Sequence, residues 1–428
     1  PSGMAGQSLI ILLYCLESRA DNDNEEHLMT SSTNLPVLVL KRNEDRRLGA
    51  GHVWIYSNEV DTRKTSLSGF EPGSLAAIQS ASGKTLGIGY VNPHSLICAG
   101  LLSRRPRTVI DSGFFERRLR SALSLRESLF AEPCYRLVFG ESDGLPGLVI
   151  DRYGTVLVVQ ITTAGMELVR DLLLEAVERV LAPSGILLRN DSSVRTLEGL
   201  PLETEVIGDV PETVLLTEGG VQFEVPLGAG QKTVWFYDQR GNRLAMHKYV
   251  QGKQVLDTFS YIGAWGLQAA AAGAAGVTCV DASPVAQAFL EKNIAANGLG
   301  SKVRLENGDA FEVLKSLQDA GQRYEVVIVD PPAFIKRRKD IKTGEQGYGR
   351  VNRLALKLLA PDGFLISCSC SMHLSAERLQ HVLYQSARKQ GRQLQILERG
   401  FQSMDHPVHP AVAETAYLKA LFCRVPAT

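Results

Sequence analysis

The stretch Val255-Leu256-Asp257-Thr258-Phe259-Ser260-Tyr261-Ile262-Gly263-Ala264-Trp265-Gly266 decides the fold. It reads as strand, glycine-containing turn, helix. The same alternation continues to the end of the chain. VTCVDAS, VRLENGD, YEVVIVDPP and GFLISCS read as buried strands, and GLQAAAAGA, VAQAFLEKNIAANG, FEVLKSLQDAG and VNRLALKLLA read as helices between them. Such alternation predicts a mostly parallel sheet with helices on both faces. The expected fold class is α/β, with a Rossmann-like domain over 191–428 that begins with linking strands (LETEVIG, VQFEVPL). No internal repeat is evident.

Upstream the pattern differs. VLVLK, HVWIYSNEV, SLAAIQ, LGIGYV and LICAGLLS are short apolar or alternating runs separated by Gly-, Pro- and Ser-rich breaks. They predict a small β-barrel over 35–104. FFERRLRSALSLRESLF then repeats apolar residues at helical spacing, with arginines on the other face. Turn chemistry in SDGLPG and DRYG favours a hairpin-rich sheet after it. Residues 105–190 therefore read as a central α+β domain.

A chain of 428 residues with 44% apolar content supports more than one buried core. The formal net charge is zero, but basic stretches at Arg104–Arg126 and Lys336–Lys342 break the even distribution. Seven cysteines without a CxxC pair argue against a disulfide framework or a structural zinc site, and no metal is expected. Reduced thiols in a cytoplasm are the simplest reading. Residues 1–33 read as a poorly ordered extension with Met29 an alternative start. Its apolar run Ser8–Leu16 is too short to span a bilayer and lacks a basic flank, so no membrane association is expected.

In doubly wound sheets a ligand sits past the carboxyl ends of the strands, near the point where strand order reverses. Gly263 lies in that turn, where a missing side chain lets backbone approach a ligand. Asp281 ends the next strand 24 residues after Asp257, the place and spacing of an acid that binds ribose hydroxyls. Asp309, in NGDAF, ends the third strand and is placed to accept from an adenine amine. Asp330 ends the fourth, in VIVDPPAF. Each aspartate alone reads equally well as a helix cap; four in succession mark one edge of the sheet. A dinucleotide dehydrogenase would carry GxGxxG in the first turn, and Y-I-G-A-W-G does not. The pattern favours S-adenosylmethionine (SAM) as cofactor, its methionine part against Gly263.

Asp330-Pro331-Pro332 sets rigid backbone beside this edge, suited to a flat base. After the next strand comes Ser367-Cys368-Ser369-Cys370-Ser371. Carbon 5 of a pyrimidine is too unreactive to take a methyl group until a thiolate adds at carbon 6. Neighbours two apart in a strand share a face, so both cysteines are candidates. Cys370, nearer the strand end, is favoured as nucleophile; the bland reading of both is buried core cysteine. Asp330 is placed to hydrogen-bond the N3/N4 edge of the base.

These residues carry a resemblance. HVWIYSNEV, LVFGESDGLPGLVIDRYG, QKTVWFYDQRGNR, VLDTFSYIGAWG, VIVDPPAF, SCSCS and the closing DHPVHP…YLKALFCRV together resemble the three-domain bacterial 23S rRNA cytosine-5 methyltransferases of the large subunit (the RlmI type), over about residues 35–425. The resemblance implies a PUA-like RNA-binding barrel, a central β-rich domain, a SAM methyltransferase domain and a homodimer. It implies that Phe236, Asp238, Gln239 and Arg240 help close the SAM pocket, and that Ser369-Cys370-Ser371 holds the nucleophile. The expected cofactor set comprises these four with Asp257, Phe259, Tyr261, Gly263, Asp281, Ala282, Ser283, Asn297, Asp309, Ala310 and Asp330. The chain departs from the usual pattern at Tyr261-Ile262-Gly263-Ala264 and at Gln231-Lys232-Thr233-Val234, which bears on the shape of the cofactor loop rather than on the reaction.

For 23S rRNA as partner, Pro331, Pro332, Phe334, Lys336, Arg337 and Arg338 are the expected contacts. Phe334 is a stacking wall for a swung-out base and the cations are phosphate contacts. Arg350, Arg353 and Lys357 follow, and Arg104, Arg105 and Arg107 lie at the barrel's exit; each cluster reads equally as a solvated face. Two rival functions stay open from the residues: methylation of a nucleobase nitrogen, to which D-P-P-A-F is also suited, and a non-catalytic RNA-binding or ribosome-assembly protein.

Overall fold

Alternating burial builds the first sheet. In Leu75–Gln79 the side chains of Ala76 and Ile78 are buried while their neighbours are half-exposed, the period of a strand covered on one face. The computed structural model describes residues 35–228 and 234–427. The extension expected at 1–33 and the Gln231–Thr233 triplet lie outside the described residues.

The chain divides into two compact units. The first holds the described residues up to Ser128, Leu137–Val210 and Pro410–Val412. Five strands, β1 (Val37–Val39), β2 (Trp54–Tyr56), β3 (Leu75–Gln79), β4 (Thr85–Val91) and β5 (Ile97–Ser103), pair in the order β1-β3-β4-β5-β2. They close over Leu38, Ile55, Val60, Ile78, Cys98 and Leu101. A second sheet, in the order β10-β9-β8-β7-β6, follows helix α1 (Ser112–Leu129). Its strands are β6 (Cys134–Phe139), β7 (Leu148–Tyr153), β8 (Val156–Ile161), β9 (Gly185–Asn190) and β10 (Glu203–Gly208). β7 and β8 form the expected hairpin, and α2 (Arg170–Leu181) carries the crossover between parallel β8 and β9.

Two expectations are corrected here. LETEVIG is no linker into the last domain: as β10 it pairs with β9 from Glu203↔Asn190 to Gly208↔Gly185. The barrel and the α+β segment fall within the same compact unit and touch. Trp54 Nε1 donates to Glu141 at 2.8 Å, and Asn92 Nδ2 donates to Glu198 at 2.8 Å. The arginines of α1 are not all solvated either. Arg126 is fully buried in a two-pronged pair with Asp143, at 2.6 and 2.8 Å. Arg104 spends its guanidinium on the carbonyls of Leu48 and His52.

The second unit comprises Leu129–Arg136, Pro211–His409 and Ala413 onward. It opens with a hairpin of β11 (Thr213–Glu218) and β12 (Val221–Pro226), followed by α3 (Arg240–Val250). The predicted alternation is then realised as β13 (Gln254–Thr258), α4 (Ala264–Ala271), β14 (Gly276–Asp281), α5 (Pro284–Ala296), β15 (Val303–Asn307), α6 (Ala310–Asp319), β16 (Tyr324–Val329), α7 (Ile341–Leu358), β17 (Leu359–Ser369) and α8 (Ala376–Arg388). Strands β18 (Gln395–Gly400) and β19 (Lys419–Val425) complete a seven-stranded sheet ordered β15-β14-β13-β16-β17-β19-β18. All its strands are parallel except β19, which pairs antiparallel with both neighbours. β13 and β16 are buried on both faces over nearly their whole length, as a sheet layered by helices requires.

One buried carboxylate fastens the hairpin to this domain. Glu218 is almost completely buried and accepts from Arg243 Nη2 at 2.9 Å, Gln268 Nε2 at 2.9 Å, Trp235 Nε1 at 3.1 Å and Arg240 Nε at 3.2 Å, besides Arg243 Nε. Burial pushes this carboxyl up, but Arg243 and Arg240 with Gln268 overcome the penalty and hold it below the usual carboxylate range. A depressed folded value means that the stabilisation is present at neutral pH and is lost as pH falls through that value. Glu218→Ala would leave the buried Arg243 without its counter-charge, at an expected cost of about 3–5 kcal/mol. Urea denaturation at neutral pH measures this loss, and the difference from the parent chain should shrink under acid conditions.

Candidate active site

Strand order reverses at β13, which lies between β14 and β16. The turn beyond it holds an unusual backbone. Phe259 (φ 61°), Tyr261 (φ 51°) and Gly263 (φ 91°) all lie in the left-handed region, which bulky residues rarely adopt. Neighbouring bonds hold it there. Ser260 N donates to the Val280 carbonyl at 2.9 Å, and Tyr261 N donates to Asp281 Oδ2 at 2.8 Å. The other Asp281 oxygen accepts from Ser283 N at 2.8 Å. Asp281 therefore ties together the turns after β13 and β14. Ser283 caps α5 by accepting from Ala286 N, and Ala282 between them is exposed.

Gly263 is fixed by its backbone and its packing. An added Cβ would come within 2.4 Å of Leu290 and 2.9 Å of Leu267, so the glycine is demanded by its φ and by side-chain packing. Gly266 provides the close approach between helix and strand: its N–H donates to Asp257 Oδ2 at 2.9 Å, and an added Cβ would lie 2.4 Å from Cys279 Sγ.

The four aspartates divide by environment. Asp257 is fully buried, and its pKa rises well above the usual range through burial and then through Asp330 and Asp281. Asp330, directly after β16, is raised to about 6 by burial; the Trp265 hydrogen bond restrains it, while Asp238 raises it further. Its Oδ1 accepts from Gln239 Nε2 at 2.9 Å and its Oδ2 from Trp265 Nε1 at 3.0 Å. Asp309 is exposed and caps α6, accepting from Phe311 N at 2.9 Å. Ala310 behind it is buried in the core.

The segment before α3 reaches the same edge. Asp238 Oδ2 accepts from Tyr417 OH at 2.6 Å, and Gln239 is held by Asn242 as well as by Asp330. Phe236 is exposed, its ring edge-on to Tyr261 at 5.8 Å. Arg240 faces inward on Glu218, the Cys134 carbonyl and the Phe130 ring. Asn297 sits at the C-terminal end of α5, where its amide bonds the backbone of Gln222 and the Asn293 carbonyl. Arg240, Ala310 and Asn297 thus make structural contacts, whereas Asp238, Gln239, Asp257, Asp281 and Asp330 converge.

Among the described cysteines Cys370 alone is partly exposed; Cys98, Cys134, Cys279, Cys368 and Cys423 are buried. Cys370 follows the last residue of β17, and its thiol is pushed up to about 12 by burial, Asp330 and Asp238, with Lys419 opposing. Its neighbours are clamped. Ser369 Oγ donates to Tyr348 OH at 2.9 Å, Tyr348 OH and Ser371 Oγ lie 2.8 Å apart, and Ile335 N donates to Ser371 Oγ at 3.2 Å. On the loop after Asp330, Pro331 is buried and Pro332 exposed; Phe334, partly buried, rests on Tyr348 at 4.8 Å. Lys336, Arg337 and Arg338 are exposed, Arg337 pairing with Asp340.

Sequence reading missed Glu218, Trp265, Tyr348, Tyr417 and Lys419. Lys419 was the most visible of them, a charged residue just ahead of the apolar run A-L-F-C in the strand K-A-L-F-C-R-V.

The residues present suit SAM. Among the described residues, Asp238 Oδ1, Asp257 Oδ1, Ser260 Oγ and Ser367 Oγ are buried with no protein partner, and buried polar atoms call for a polar ligand. Mutual repulsion among Asp257, Asp281 and Asp330 favours one that carries positive charge. A sulfonium, an ammonium and ribose hydroxyls meet both demands.

Comparison with known proteins agrees. The model of the S-adenosylmethionine-dependent methyltransferase family matches residues 184–424, and that of the PUA-like domain matches residues 38–104. A Klebsiella pneumoniae protein named ribosomal RNA large subunit methyltransferase I is 36% identical over 403 residues, 93% of this chain and 100% of that protein. Proteins of the same name from Erwinia tasmaniensis and Shewanella denitrificans are each 36% identical over 91% of this chain and 99% of their own. A crystal structure of a methyltransferase complexed with SAH shares the fold at TM-score 0.79 and 22% identity, covering 91% of this chain and 100% of that one. The chain belongs to the SAM-dependent methyltransferase family, in the branch of the ribosomal RNA large subunit methyltransferase I proteins. Its cofactor is SAM.

Asp281→Ala would free both Tyr261 N and Ser283 N and release the left-handed turn. Calorimetry should show SAM affinity reduced by about tenfold or more, the cost of roughly one charge-assisted hydrogen bond or more. Circular dichroism should show the fold retained.

Proposed function

We propose that this enzyme methylates carbon 5 of a cytosine in large-subunit ribosomal RNA through a covalent adduct on Cys370. The RNA substrate follows the name shared by relatives over nearly the full chain. The observation that carries the chemistry is Cys370 itself, the partly exposed cysteine at a strand end, electrostatically coupled to Asp330.

Bound SAM supplies an electrophilic methyl group. The Cys370 thiolate bonds to C6 of the base, and the C5–C6 π pair shifts onto the ring. Asp330, raised to about 6 and protonated for this step, donates a hydrogen bond to N3, where that charge develops. C5 then forms its bond to the methyl carbon as that carbon's bond to the sulfonium breaks, so the cofactor would leave as S-adenosylhomocysteine. The C5 proton passes to solvent and the S–C6 bond breaks with its electron pair on sulfur, which restores the double bond and returns Cys370 as thiolate.

Asp238, Asp257, Asp281, Asp330, Gln239, Phe236, Phe259 and Tyr261 are the residues we assign to the SAM pocket. Asp309 keeps its second oxygen for the adenine amine. Phe334 with Pro331 and Pro332 would wall the flipped base, and the exposed Lys336 and Arg338 would contact phosphate.

Cys370→Ala is expected to abolish transfer while SAM still binds, and RNA containing 5-fluorocytosine should trap a covalent complex with the parent enzyme. Transfer by the alanine variant, or the absence of any trapped complex, would count against the adduct and for methylation at nitrogen. Trp265→Phe removes a hydrogen bond that holds Asp330 down. The ionisation near pH 6 in its rate profile should therefore move upward.

A further inference from the structure

Lys419 plays no part in the scheme above, yet its position is unusual for a lysine. It opens β19 opposite Ser369 and is nearly buried. Its Nζ donates at 2.6 Å to the carbonyl of Ser371, the residue after Cys370, and at 2.6 Å to that of Tyr417. Two of the three N–H groups of an ammonium are thereby used. The groups that face Cys370 come from four directions. Asp330 follows β16, Asp238 precedes α3, and Tyr348 lies on α7. Tyr417 and Lys419 enter from the segment of β19, while Cys368 is on the same strand. Both carboxylates resist a thiolate there, and Lys419 favours one.

We propose that Lys419 is a positioning residue for the nucleophile: its ammonium, fixed on the carbonyls of Ser371 and Tyr417, holds the backbone next to Cys370 and sets a positive charge there that offsets part of the resistance of Asp330 and Asp238 to a thiolate. The proposal rests on the reading of Cys370 as nucleophile. When the thiol ionises, its proton leaves to solvent or to a neighbouring carboxylate, and Lys419 stays an ammonium. Burial lowers Lys419 to about 8, while Cys370 pulls it back up. The supporting charge is therefore present below about pH 8 and fades above it.

The test uses the full chain and reads Cys370 directly. Iodoacetamide alkylation is followed at each pH by mass spectrometry of the peptide holding Cys370, alongside single-turnover methyl transfer to ribosomal RNA. Lys419→Met should slow alkylation at pH 8 by roughly tenfold or more, because less thiolate is present. It should slow transfer with the RNA KM nearly unchanged. A wild-type alkylation profile in that variant would overturn the proposal. Should Lys419→Met fail to fold, Lys419→Arg carries the test. Its charge does not titrate in this range, so the decline of transfer above pH 8 expected for the parent enzyme should vanish. Persistence of that limb in the arginine variant would overturn the proposal as well. Failure of the nucleophile reading looks different, as transfer that survives Cys370→Ala.

Discussion

The carboxylate of Glu218 is the constraint on which the catalytic edge depends. It gathers donors from the segment before α3, from α3 itself and from α4, and thereby fixes a short stretch of chain that has little regular structure of its own. That stretch carries Asp238 and Gln239 to Asp330 and to the face where Cys370 lies. A buried ion pair is weak evidence for net stability, because desolvation offsets most of the attraction. Its value here is geometric. Hydrophobic replacements could fill the same volume but would leave the direction of Gln239 undetermined. The same network spends Arg240, which is why a residue of the family motif faces inward.

Charge of one sign is concentrated around the sheet edge. Asp257, Asp281, Asp330 and Asp238 act on one another or on Cys370, and burial raises Asp257 and Asp330 further. The folded value of Asp330, about 6, lies above that of a free carboxyl, so ionising it lowers the stability of the folded state as pH rises from about 4 to about 6. The fold tolerates this cost where a cationic ligand would relieve it. Binding a positively charged cofactor beside raised carboxylates must release protons, since the ligand favours the ionised forms. Cofactor affinity and site protonation are thus one equilibrium.

Much of the fold was legible because it rests on period. The strand and helix runs after Gln254 lie where hydrophobic spacing put them, and the five barrel strands likewise. The failures have physical causes. LETEVIG has the pattern of an edge strand, and pattern does not name the partner; β9, the strand just before it, claimed it by antiparallel backbone pairing. Arg126 looked like part of a solvated face because helical period cannot foresee that Asp143 would be brought against it. In the site, the aspartates announced themselves by position at strand ends, whereas Trp265, Tyr348 and Tyr417 act through side-chain hydrogen bonds between residues far apart in the chain. Asn297 closes a helix, and no spacing rule separates that from a ligand contact.

The choice between Cys368 and Cys370 shows how the two levels complete each other. Their spacing of two puts both on one face, so residue type cannot rank them. Depth does. Cys368 is sealed in the sheet with its thiol against Gln239, and burial first, then Asp330, raises it well above the usual range. Cys370 lies where β17 ends and the backbone must turn. There Tyr348 holds the hydroxyls on either side, and Ile335 and Lys419 hold Ser371. A nucleophile needs a fixed backbone and an open side chain together. Serines at 369 and 371 supply the first without blocking the second, because hydroxyls are small and can bond sideways to the neighbouring helix. On the proposed reading of Cys370 as nucleophile, the S-C-S triplet is a mounting for the thiol as much as a sequence signature.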